Sequence, residues 1–150
     1  MKFCADYQSG NVLYFIERDA SGQVWYPAGQ VFEVWGGGAG RDKADYGIAF
    51  TDKGGDHYVG TFDPNTPAGR HWVQGFLRLG ASPADGDPLI GGGPVRWSGS
   101  VELTADKILL NKAVQTKSTG AVVYYDDDGS TPLITQTPSE DSTTVTRAPS

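Results

Sequence analysis

The sequence is short of the residues from which small proteins build staples and many active sites. It holds one cysteine, Cys4, so no disulfide closes within the chain and no thiolate set can hold a zinc ion. It holds two histidines, His57 and His71, and a single methionine. Long apolar runs are missing: Val12-Leu13-Tyr14-Phe15-Ile16 is far short of the ~20 residues needed to span a bilayer. After Met1-Lys2 the chain goes straight to Asp6, so no secretory signal is expected and synthesis is placed in a cytoplasm. Cations are the scarcer charge. Twelve Lys and Arg against 18 Asp and Glu leave a net charge of −6, which repels phosphate backbones and anionic lipid. Neither nucleic acid nor a membrane is expected as a partner.

Glycine is what the chain has in excess. Its 21 Gly compare with the roughly 10 that average usage gives in this length. With 9 Pro, they separate short runs of aromatic and β-branched residues, the pattern of tight turns between strands. Strand-like runs cover residues 11–17, 23–26, 30–35 and 70–79, with a last short one at Val95-Arg96-Trp97. Between them, Tyr46, Ile48 and Phe50, then Tyr58, Gly60 and Phe62, alternate with other residues. Within 70–79, Trp72, Gln74 and Phe76 face one way and His71, Val73 and Leu77 the other, and Trp72 is expected in the core. Gly36-Gly37-Gly38 reads as a flexible loop and Gly91-Gly92-Gly93-Pro94 as a corner. These signals predict an all-β antiparallel sandwich over residues 1–100, lined by Tyr46, Phe50, Tyr58, Phe62, Trp72 and Phe76.

Residues 101–150 differ in character. Residues 104–110 are the one stretch read as helix, with Thr104 as cap and Asp106 in the first turn. Beyond them, runs near 112–117, 121–125, 132–137 and 142–147 predict a β-meander poor in large apolar residues. Such a meander is marginal alone and is expected to dock on another surface. Its partner-binding candidates are Val122, Tyr124, Leu133 and Thr135, and its unpaired edges could add strands to a neighbour.

No catalytic constellation emerges. Ser9 and Ser98 lack nucleophile-elbow surroundings, and the histidines sit in strand-like runs as packed or surface residues. The pairs Asp42 with Asp45 and Asp85 with Asp87 read as solvated loop charge. Asp126-Asp127-Asp128-Gly129 starts like a calcium loop, with Asp126 and Asp128 at ligand offsets, but no glutamate follows at the twelfth position. A hairpin turn is the better reading, so neither metal nor cofactor is expected. Trp25 and Trp35 flank loops and are the candidates for exposed aromatics. They serve either a protein partner or, alternatively, a sugar ring stacked on the indole.

One resemblance bears on function. The series Tyr14-Phe15-Ile16-Glu17-Arg18, Gly22-Gln23-Val24-Trp25, Val31-Phe32-Glu33-Val34-Trp35 and Tyr46-Gly47-Ile48-Ala49-Phe50-Thr51-Asp52-Lys53-Gly54-Gly55-Asp56-His57-Tyr58, followed by Ala68-Gly69-Arg70, resembles small virion proteins of tailed phages and prophages. This block is similar to the immunoglobulin-like N-terminal domain of phage upper-baseplate proteins. The run Leu109-Leu110-Asn111-Lys112-Ala113-Val114, with Tyr124-Tyr125-Asp126-Asp127-Asp128-Gly129-Ser130-Thr131-Pro132-Leu133, resembles a C-terminal hairpin of the same kind of protein. The long linker helix and trailing receptor-binding domain of longer relatives are not in this sequence. The resemblance implies an immunoglobulin-like sandwich with a docking meander in a non-catalytic tail, baseplate or capsid-decoration protein. It would be located in the virion, homo-oligomeric, and bound to other virion proteins. The alternative is a carbohydrate-binding sandwich.

Overall fold

The computed structural model describes residues 3–38, 40–104, 109, 111–140 and 145–149. They fall in two compact units, Met1–Glu102 and Leu103–Ser150.

The first unit is an antiparallel β-sandwich. Its strands are β1 (Phe3–Asp6), β2 (Leu13–Arg18), β3 (Val24–Tyr26), β4 (Val31–Glu33), β5 (Ile48–Ala49), β6 (Thr51–Asp52), β7 (His57–Gly60), β8 (Gly69–Leu77) and β9 (Leu89–Trp97), with one short helix, α1 (Lys43–Tyr46). One sheet runs β4-β3-β2-β8-β9, with β5 also paired to β2; the other runs β1-β7-β6. The central pairing joins β2 to β8 in a register from Leu13 opposite Leu77 to Arg18 opposite Trp72.

Strand β2 explains the layering. A strand with one wet face alternates apolar and polar residues, but Leu13 to Glu17 are all buried. Both its faces are therefore covered. On one, Tyr14 and Ile16 pack with Val24, Tyr46 and Phe76. On the other, Phe15 packs with Phe62, Val73, Val95 and Trp97, and Phe3, Ile48 and Phe50 close over them. Phe3 and Phe15 meet edge-on at 4.7 Å between ring centres, a favoured geometry for aromatic pairs. These rings tie the small sheet to the large one without a disulfide.

Three expectations for this unit need correction. Trp72 is outside, 48% exposed, because its neighbours His71 and Val73 take the inward side of β8. Tyr46 ends a helix rather than starting a strand: Asp42 accepts from Ala44 N–H at 2.8 Å while the Asp45 carboxylate accepts from Asp42 N–H at 3.0 Å. Asp42 and Asp45 are thus a capping box, not loose loop charge. Residues 91–94 are no corner either. They run inside β9, Gly91 opposite Gly75 and Pro94 opposite Trp72. Pro94 is tolerated because β9 is an edge strand, with β8 its one partner strand among the described residues.

The second unit is a four-stranded meander of β10 (Ala113–Gln115), β11 (Val122–Tyr125), β12 (Pro132–Glu140) and β13 (Val145–Pro149), paired in chain order. Among its described residues Leu133 is the one buried large apolar side chain. The helix expected over 104–110 lies mostly outside the described residues.

Candidate functional site

The two histidines differ in setting. His71 is buried on β8, with Nδ1 3.0 Å from Glu17 Oε1 and Nε2 3.0 Å from the Pro67 carbonyl. A carbonyl only accepts, so Nε2 carries a hydrogen. Nδ1 then faces Glu17 either as a donor to a carboxylate or as an acceptor from a carboxylic acid. Thr66 Oγ1 donates to the other oxygen of Glu17 at 3.3 Å. Burial pushes the Glu17 carboxyl above its ordinary value, opposed by His71 and Thr66. Phe32 stacks on the imidazole and Phe62 meets its edge. His57 is exposed, 3.2 Å from Asp6.

Of the two tryptophans expected at the surface, Trp35 is there and Trp25 is not. Trp25 is 1% exposed and packs against Phe32 at 5.0 Å, so it offers no surface to a partner or a sugar. Its place is set by register: Trp25 stands opposite Phe32 in the β3–β4 hairpin. Trp35 is 39% exposed, but its ring already meets Tyr46 at 4.9 Å and the Arg18 guanidinium at 5.2 Å. Behind it Arg41 bonds both oxygens of Glu33 at 2.6 and 2.7 Å and lies over the Tyr26 ring at 3.8 Å. Tyr46 Oη donates to Glu33 at 2.8 Å. Partial burial pushes the Glu33 carboxyl up, yet the bonds from Arg41 and Tyr46 outweigh it and hold it below its ordinary value. This network braces the Gly36–Gly38 loop against α1, because Gly36 N–H donates to Tyr46 Oη.

Asp87 has a structural post. Its oxygens accept from Leu79 N–H at 3.0 Å, Ala84 N–H at 2.8 Å and Tyr14 Oη at 3.0 Å. The Leu79 amide above all, with the Ala84 amide and Tyr14, holds its carboxyl below the ordinary range despite burial. It ties the loop before β9 to the start of β2.

In the meander the expected docking residues do not form one surface. Val122 and Tyr124 stand opposite Gln136 and Ile134, while Thr135 stands opposite Val123. Alternation therefore puts Val122 and Tyr124 on one face and Leu133 and Thr135 on the other. Both β11 and β12 are interior strands, and Leu133 is buried, so none of the four stands on an edge strand. The edges are β10 and β13. At the hairpin tip Asp126 N–H donates to Thr131 O, and Gly129, at φ +66°, donates back to Asp126 O. The Asp128 carboxylate accepts from the Thr131 hydroxyl and the amides of Thr131 and Ser130, which keep it far below its ordinary value. Asp128 thus spends its oxygens on the turn. Among the described residues no group of His, Cys, Asp and Glu is arranged to hold a metal, and no helix is long and apolar enough to cross a membrane.

The functional candidate that the sequence reading missed lies on the outer face of β8 and β9. There Arg70 stands directly opposite Arg96, and Trp72 stands opposite Pro94 on one side and Arg18 on the other. The alternation of β8 was visible, and Arg70 sharing the parity of Trp72 was the signal that this parity faces water. A recess of about 220 Å³ beside them is lined by Asp19, Ala20, Arg70, His71 and Trp72. Compared with known proteins, the chain matches no family model, no curated protein and no solved structure.

Proposed function

We propose that the chain is a non-catalytic structural protein of a tailed-phage particle, in which it acts as a tail or baseplate adaptor or a capsid decoration. The observation that carries this reading is the second unit: a four-stranded meander with a single buried large apolar residue among those described and two strand edges, β10 and β13, paired on one side only. A sheet so poor in core gains stability by covering its faces or extending its edges with another chain. Repetition of such contacts by symmetry turns weak individual sites into firm attachment. The sequence resemblance supports the same reading, including the immunoglobulin-like form of the sandwich. His71 fits it as well, since its ring is buried between Glu17 and the Pro67 carbonyl, away from solvent.

Gold-labelled antibody against the recombinant protein, applied to particles from the source culture, tests the proposal. Label at a fixed place on the capsid or tail is the expected result. Intact particles without label, beside free protein in the supernatant, would exclude it.

A further inference from the structure

The arginine pair on the outer sheet face calls for an anion. Like charges directly opposite each other on antiparallel strands repel, and Arg70 and Arg96 are such a pair. Among the described residues neither guanidinium has a carboxylate within ion-pair distance, although the chain carries 18 Asp and Glu. Next to Arg70 on the same face of β8 stands Trp72, a large aromatic half open to water. The third arginine of this face, Arg18, is committed to Gln74 Oε1 at 3.1 Å and to Gly22 O.

The recess at Arg70 adds a demand of the opposite kind. Asp19 lines it, and Asp19 Oδ1 accepts from Ser21 N–H, Ser21 Oγ and Gln23 N–H, while Oδ2 takes part in none of these bonds. An occupant must therefore bring hydrogen-bond donors to Asp19 as well as negative charge to the arginines. An acidic peptide segment meets the arginines but sets like charge against Asp19. A sugar acid meets both: its hydroxyls donate to Asp19, its carboxylate takes the guanidinium fork, and its C–H face lies on the indole. The volume of about 220 Å³ is below the ~300 Å³ where drug-sized pockets begin and suits one ring.

We propose that the recess formed by Asp19, Arg70 and Trp72, with Arg96 across the strand, binds one uronate residue of an acidic polysaccharide. This site stands apart from the virion reading and needs no part of the second unit.

The test is calorimetric titration of the full chain with oligogalacturonate, with neutral dextran oligosaccharide and poly-glutamate as comparisons. Binding of the uronate alone, weakening as salt is raised, is the expected result. Trp72→Ala and the double variant Arg70→Gln/Arg96→Gln should each lose about tenfold or more in affinity. Lys53→Gln/Lys117→Gln, which removes two cations elsewhere, should bind as the parent does. Circular dichroism checks that each variant is folded, and the arginine variant decides the matter if Trp72→Ala is not. No uronate binding, poly-glutamate binding of equal strength, or affinity unchanged in the folded variants would overturn the proposal.

Discussion

At the scale of single residues, the buried Glu17–His71 pair makes stability depend on pH in an unusual direction. Most carboxylates with partners are held below their ordinary value and lose their contribution in acid. Burial instead raises Glu17, so the folded chain holds the proton more tightly than the unfolded one. The linked stability is full below the ordinary glutamate range and declines as pH rises towards the raised folded value. Glu17→Gln keeps the shape and removes the titration. Thermal melts from about pH 4 to pH 8 should show the parent losing more melting temperature with rising pH than the variant does. A parallel pair of curves would place the proton elsewhere. Trp25 makes a simpler case. Being buried against Phe32, it should cost about 3–5 kcal/mol when cut to alanine, read by denaturant unfolding, with binding affected only through loss of fold.

At the scale of elements, β9 shows what a glycine run can do inside a strand. A Cβ on Gly92 would collide with the carbonyl oxygen of Val73 on β8, whereas one on Gly91 would meet nothing nearby. Gly92→Ala should therefore loosen the β8–β9 pairing at a cost of about 1–3 kcal/mol, with faster amide exchange along both strands. Gly91→Ala should leave exchange there unchanged. Why these glycines read as a corner is clear from this contrast. Sequence shows that a residue lacks a side chain, but not whether a neighbouring backbone needs the space. The same limit applies to α1. Asp42 and Asp45 carried a capping signal, yet four helical residues show no apolar period, so the box was legible only once its hydrogen bonds were seen. Strand-like runs bounded by turn residues fared better. They marked β2, β3, β4 and β8 and gave the all-β class, with alternation explicit along β8. What it left open was which parity of β8 faced the core. Two covered faces on β2 mean that both parities of β8 find apolar partners, Phe76 on one side and Val73 on the other. The surface of Arg70, Trp72 and Arg96 was hidden by that ambiguity.

At the scale of the whole molecule, the two units differ in what they can do alone. Residues 1–102 hold both apolar clusters within themselves. Cut after Glu102, this part should unfold in one cooperative transition by calorimetry. Residues 103–150 on their own should show none, since a small sheet needs more apolar cover than Leu133, the one buried large apolar side chain among its described residues, provides. A sharp transition in the isolated meander would instead give it a core of its own. The order of pairing has a further consequence, for synthesis rather than stability. Strand β2 is made early, yet its main partner β8 spans Gly69–Leu77, and β1 waits for His57–Gly60. At ~5–20 residues per second, the roughly 60 residues in between take about 3–12 s to add. Through that interval the run from Leu13 to Ile16 is apolar, rich in β-forming residues and without its main partner strand. The yield of this protein in a cell should therefore follow chaperone supply and translation speed more closely than the stability of the finished fold.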